Sequence, residues 1–367
     1  MDPDALQAEV DEWVRDGIIT EQQADAILAR YDDDDRDRSR VVGALSVVGA
    51  ALVFVGVTLF LATNWDDLST AAQVVVLLSG PGLAYLCGAG AYRQSFRRAG
   101  LALSVLGALL AGPSLFLLAD LAATAIADVW ILLAWTAIAL PTGHALDSRV
   151  GTGFGLVVLA ALVVELADPG DTAVTVGLLG IGLFGLAALQ REPIAETYRA
   201  VGVVFALLGL LALTTLDGRF DRFDPGLSAT FGALAAAAVL TTAGLAGRGD
   251  HVESKWAAAT IGAIAAGTAV ALAAPETIPN AVAFGVVHVV TLITVAATGY
   301  YGYAAGSRRF VDLAAVAALV QTLSFVAATV VDALSGSIAL VVAGAILIAA
   351  GVALERGRRS VLSRFER

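Results

Sequence analysis

The sequence predicts an all-α, polytopic integral membrane helix bundle of about 12 transmembrane helices, led by a short soluble N-terminal helical hairpin. Three observations carry this prediction: an extreme apolar composition, a regular spacing of apolar runs, and the placement of arginine. Of the 367 residues, 58% are hydrophobic and 15% charged, with a mean hydropathy of +0.81. A soluble domain has about 25% charged residues. In water this chain would expose large apolar patches, so a lipid bilayer is its natural solvent and first partner.

The first 40 residues are the exception. They hold 13 of the 33 acidic residues, including the run Asp32 to Asp35, and polarity changes abruptly at Val41. The chain therefore divides into an acidic hairpin (1–40), a transmembrane domain (41–354) and a basic cytoplasmic tail (355–367). In the hairpin, Leu6, Val10, Trp13 and Val14 recur at helical spacing and form one apolar face. Gly17, after Asp16, suits the left-handed residue that closes a helix. Thr20 with Gln23 makes a capping box that opens a second helix, whose inner stripe is Ala24, Ile27, Leu28 and Tyr31. About 30 residues bury too little surface to stand alone. Residues 6–31 are thus expected to pack on the membrane domain, on a second copy, or on a protein partner. The polar stretch ahead of the first apolar run argues against a cleaved leader.

From Val41 onward, twelve segments are apolar enough to span: 41–63, 71–91, 100–119, 129–146, 150–167, 171–190, 200–216, 227–246, 256–274, 280–305, 311–331 and 335–354. The stretch 100–146, interrupted only by Asp120 and Asp128, divides into two helices because it far exceeds one crossing. Positively charged loops stay in the cytoplasm. With the N-terminus inside and one crossing per segment, 20 of the 22 basic residues fall on the inner side, and only Arg219 and Arg222 fall outside. The expected location is the cell membrane, with both termini cytoplasmic.

The same alternation places 12 carboxylates outside, among them Asp66, Asp67, Glu165 and Asp332. Such a face gathers cations, although its simplest role is to stay solvated. Lysine occurs once, at Lys255, and the net charge is −11. This acidic, lysine-poor composition resembles that of halophilic proteins, and it argues against nucleic acid as a partner. One cysteine, Cys87, and three histidines, His144, His251 and His288, supply no metal-ligand spacing. HExxH and GxSxG are absent, as is a nucleophile–base pair. No catalytic residue, metal or cofactor is expected, and the chain does not read as an enzyme.

Particular residues resemble a known family. Leu6, Trp13, Asp16-Gly17-Ile18-Ile19-Thr20, Gln23-Ala24, Ile27-Leu28 and Tyr31, followed by a first span ending in Ala62-Thr63-Asn64-Trp65-Asp66, look like the predicted membrane proteins grouped as domain of unknown function 2157. Thr63 between the alanine and Asn64 is a small departure. The resemblance covers roughly residues 6–90; it implies a membrane protein and no particular activity. The major facilitator pattern fits poorly, because the loop from Gly88 to Arg98 lacks that superfamily's aspartate and second glycine.

Candidate binding residues fall at two depths. Asn64, Trp65 and Asp66 sit where the first span leaves the bilayer; they suit an interfacial anchor with helix-capping groups or an outer-mouth site for a cation or polar ligand. His288 and Gln321 lie deep in adjacent spans. Intramembrane polar groups of this kind either bind a proton or polar substrate or form an interhelical hydrogen bond worth about 0.6 kcal/mol. Pro81, within Gly80-Pro81-Gly82, and Pro113, after Gly112, are expected helix kinks, a feature of transporter binding sites. Gly151/Gly155 and Gly302/Gly306 have the small-xxx-small spacing of close helix packing. Binding or transport of a small solute, ion or lipid is the leading expectation. The alternative is a structural or regulatory membrane protein whose hairpin recruits a partner.

Overall fold

Apolar chain in lipid can satisfy its backbone only by closing hydrogen bonds within itself, and every regular element among the described residues is a helix. The computed structural model describes residues 3–24, 45, 48–49, 52–53, 55–57, 59–60, 63–94, 96–122, 126–167, 172–214, 229–249, 251–273, 277–333 and 336–362. The chain forms two units, Met1–Thr124 and Ala125–Arg367.

In the first unit, α1 (Pro3–Arg15) ends at Gly17, whose φ is +70°. The capping box is made: the Thr20 backbone N–H donates to Gln23 Oε1 at 3.0 Å, and the Gln23 N–H donates to Thr20 Oγ1 at 3.3 Å. Val10 and Ala24 are buried, with Trp13, Val14 and Ile19 packed against them. Ile27, Leu28, Tyr31 and the Asp32 to Asp35 run lie outside the described residues, as does most of the segment 41–63. The described positions of that segment are helical, and Leu45, Leu52 and Leu59 are exposed. A 3-10 turn (Trp65–Asp67) then leads into α2 (Thr70–Arg93), which pairs with α3 (Arg97–Leu121). Glycine permits this pairing. A Cβ on Gly88 would lie 3.0 Å from the Gly100 carbonyl oxygen, and one on Gly100 would lie 2.8 Å from that of Gly88.

The second unit comprises α4 (Asp128–Ala145), α5 (Arg149–Leu166), α6 (Thr172–Leu186), α7 (Ile194–Thr214), α8 (Ala229–Gly247), α9 (His251–Ala273), α10 (Asn280–Ala304), α11 (Arg308–Ala333) and α12 (Gly336–Leu362). A 3-10 turn (Ala187–Leu189) extends α6. Consecutive helices pack side by side in the pairs α4/α5, α6/α7, α10/α11 and α11/α12. Helix α7 is the hub, touching α5, α6, α9, α10 and α11. Its Val203, Ala206 and Leu210 are fully buried, in one core with Phe184, Ala271 and Val287.

Eight helices are long and apolar enough to cross a membrane among the described residues: α2, α3, α5, α6 with its extension, α7, α9, α10 and α11. Helix α4 carries Asp128, Trp130, Pro141 and His144 within 18 residues, which dilutes its apolar character. In α8 the stretch with described side chains, Gly232–Gly247, is apolar but shorter than a crossing. Several helices also begin before their apolar segment: α7 starts at Ile194 rather than 200, and α9 at His251 rather than 256. Hydropathy marks only the part of a helix that lipid covers, whereas backbone bonding continues into the polar flank.

Gly155 and Gly302 sit at the predicted close crossings. A Cβ on Gly155 would lie 2.6 Å from Leu140 Cα, and one on Gly302 2.7 Å from the Val311 nitrogen. Gly306 is instead a turn residue with φ +64° and no neighbour within reach of a Cβ.

Candidate functional site

Helix starts in the second unit carry both signs of charge, and contacts among them bring one set of helix ends together. Arg149, at the start of α5, lies 2.7 Å from Glu196 in the first turn of α7, and Glu196 also pairs with Arg309 at the start of α11. One turn on, Arg199 is held between Glu192 at 2.9 Å and Glu253 of α9 at 3.0 Å. Acidic residues in a first turn also face the positive end of the helix dipole, which favours Glu196 and Glu253 where they stand. Tyr301, near the end of α10, reaches Glu253 at 3.5 Å. Beside this layer, His144 Nδ1 lies 2.8 Å from the Leu140 carbonyl and Nε2 3.2 Å from the Tyr198 hydroxyl. A carbonyl only accepts, so Nδ1 carries the proton; in the neutral ring Nε2 then accepts from Tyr198. Arg358 of α12 donates to Asp312 of α11 at 2.6 Å.

An aromatic layer follows. Phe184 lies 4.2 Å from Trp256 and 5.4 Å from Tyr301, and Tyr301 packs on Phe310 at 4.9 Å, all between ring centroids. The buried Trp256 donates from Nε1 to Thr298 Oγ1 at 3.0 Å. From Thr298 a polar stripe runs along one face of α10 through Thr294 and Thr291 to His288, all buried. The distance from Tyr301 to His288 is about 20 Å at helical rise. Each of these threonines donates its hydroxyl to the carbonyl four residues earlier. Such back-bonding uses the proton and leaves oxygen lone pairs pointing away from the helix, so the stripe presents acceptors.

Both deep candidates from the sequence lie at the far end of this column. His288 Nδ1 lies 3.1 Å from the Phe284 carbonyl, which makes Nδ1 the protonated nitrogen and Nε2 the acceptor of the neutral ring. His288 packs on Phe325 of α11, one turn beyond Gln321. Gln321 is 1% exposed, and neither atom of its amide has a hydrogen-bond partner. The two residues share a neighbourhood without bonding each other. Nearby, Thr214 at the end of α7 meets Ser324 of α11 at 3.2 Å.

The remaining candidates belong to the first unit. Asn64 Nδ2 donates to the Phe60 carbonyl at 3.1 Å and to Thr63 Oγ1 at 2.8 Å. Trp65 and Asp66 form the 3-10 turn, and the Asp66 side chain lies outside the described set. The cap of α2 is Ser69, which accepts from the Ala72 N–H. Gln73 donates to the Trp65 carbonyl at 2.7 Å, tying the turn to α2. Pro81 and Pro113 lie inside unbroken α2 and α3. Among the described residues no group of histidine, cysteine and carboxylate could hold a metal ion.

Sequence reasoning missed the ionic layer. Its signal was present: Glu192, Glu196 and Glu253 each lie within a few residues of a basic residue in a connector already assigned to the inner side. No curated protein and no solved structure matches the chain. A family model does match the N-terminal part, and the polar column lies wholly beyond its reach. Over residues 11–152 the chain matches the model of the family DUF2157, described as a predicted membrane protein.

Proposed function

We propose that this chain is a multi-pass protein of the cell membrane that binds or transports a small polar solute or ion through the column between α7, α9, α10 and α11. The observation that carries the reading is Gln321, whose amide is buried with both atoms unsatisfied. Burying such a group costs free energy unless a ligand or water completes its bonding. The acceptor stripe on α10 favours a solute that donates hydrogen bonds, such as an ammonium-bearing molecule or a cation, over a lipid cargo. The ionic and aromatic layers would close the column at one end. The arginines gathered there, Arg149, Arg199, Arg309 and Arg358, support a cytoplasmic assignment for that end. Twelve crossings with both termini inside complete the arrangement.

The test is flux into liposomes holding the purified protein, across a panel of monovalent cations, amines and neutral polar solutes. Gln321→Leu is expected to leave the melting temperature unchanged or raised, and to cut flux about fivefold or more. No flux across the whole panel overturns transport. A second reading rests on Ile18, which stays 68% exposed beside the hairpin's own small core. A regulatory protein that recruits a partner through this surface would lose the partner on Ile18→Asp while flux stays absent in both forms.

A further inference from the structure

We infer that the groove between α6, α8 and α9 is a binding site for one chain of a membrane glycerolipid, with Thr268 donating to the oxygen that joins chain to glycerol. The site uses no residue of the polar column and stands independently of the transport reading.

The groove has a volume of about 290 Å³. Val174 and Leu178 of α6, Ala235 and Val239 of α8, and Ala265 and Leu272 of α9 line it. At its rim Val239 is 57% and Leu272 45% exposed, so it opens on the surface that lipid covers. Thr268 is the exception to this apolar lining. It is 8% exposed, and its hydroxyl has no hydrogen-bond partner. Other buried threonines on α9 and α10 behave differently: Thr260, Thr291, Thr294 and Thr298 all donate back to their own helix. Thr268 faces the groove with its bonding capacity unspent, at a position where an unsatisfied hydroxyl is costly.

Depth and size select the occupant. Thr268 lies five residues before the end of α9, about 7.5 Å along the axis. Val174 is two residues into α6. The groove therefore has its one polar atom within the last two turns of α9, with Leu272 beyond it, while Ala265 and Val239 continue its apolar wall toward mid-membrane. An amphiphile with an oxygen near the interface and hydrocarbon below matches this order. A partner helix, about 10 Å across, exceeds the space, and a water-soluble ligand would leave the walls unpaired. Ester and ether oxygens both accept from a hydroxyl, so either linkage meets the chemistry.

The experiment places the full-length protein in vesicles with a phospholipid bearing a diazirine midway along one chain, using ester- and ether-linked probes separately. After illumination, labelled peptides are mapped. Labelling at Val239 and Ala265 should exceed that at Leu240 and Val289, exposed apolar residues outside the groove. Thr268→Val, nearly isosteric, should reduce groove labelling about fivefold with an unchanged melting temperature. Ala265→Phe should abolish it by filling the space. Labelling with one linkage only supports the site and identifies that linkage. Groove labelling equal to that of the exposed faces, or indifferent to Thr268→Val, overturns the inference whether or not Ala265→Phe folds.

Discussion

Helices α2 and α7 are close to interchangeable by composition, with 24 and 21 residues and mean hydropathies of 1.7 and 1.8. Yet 17% of the apolar window of α2 is buried within the chain, against 56% of that of α7. Both pair with a neighbour through glycine. The difference lies in what else each carries. Helix α7 bears Glu196, Tyr198, Arg199 and Thr214, each with a partner on another helix, and its glycines admit the backbone of α6. On α2, Gly80 and Gly82 have nothing within reach of a Cβ. Hydropathy thus decides whether a segment enters lipid; polar and glycine tie points decide whether it becomes a hub.

The largest expected effect tests the glycine part of this contrast. A Cβ on Gly202 would lie 2.6 Å from the Gly180 carbonyl oxygen, with Phe184 as close on the same side. Gly202→Leu should cost about 3 kcal/mol or more and abolish the folded species in size-exclusion chromatography. Gly82→Leu should leave elution and melting unchanged. Similar losses for both would mean that glycine spacing does not separate hub from periphery.

A smaller effect tests the polar part. Glu253→Gln leaves Arg199 with only the more exposed Glu192, and should cost about 2 kcal/mol, read as a lower melting temperature in detergent. In the first unit, Arg97 stacks 5.8 Å from the Tyr92 ring centroid, and Arg97→Gln should cost about 0.5 kcal/mol. Equal shifts would remove the distinction between an anchored hub and a pair held by shape alone.

The smallest effect is a pH dependence at the end of α12. The hydrogen bond from Arg359, then the charges of Arg359 and Arg358, hold the Glu355 carboxyl below its usual range. A depressed folded-state pKa gives stabilisation that is present above the unfolded value and lost as pH falls through the folded one. Amide-exchange protection over residues 356–362 should therefore hold through neutral pH and decline only below the ordinary glutamate range. Glu355→Gln should flatten that decline. A wild-type profile as flat as the variant's would show that these ion pairs do not order the helix end.

Much of the helix layout was legible because two signals coincide: apolar runs of spanning length, and arginines at alternate connectors. Arg149, Arg199 and Arg309, placed on one side by charge alone, do meet at one end of the second unit. The N-terminal turn chemistry was equally readable, since Gly17 and the Thr20/Gln23 box depend only on local sequence. The hub was not. Mean hydropathy does not separate α7 from α2, because burial follows from contacts with several other helices, some more than a hundred positions away. Both His288 and Gln321, singled out as polar residues inside apolar spans, are buried. Their failure to bond each other was not legible, because a rotation about either helix axis leaves the sequence pattern unchanged. The groove at Thr268 was missed for a related reason: whether a threonine bonds its own helix is a rotamer choice that the sequence does not record.

The pairing of Glu196 with both Arg149 and Arg309 has a consequence for biogenesis. Its second partner lies 113 residues downstream. As the ribosome delivers the chain, α7 enters the membrane with Glu196 able to reach Arg149 alone, and four further helices must form before the bridge can close. A chain stopped after α9 would leave Glu196 with Arg149 as its partner and without Arg309.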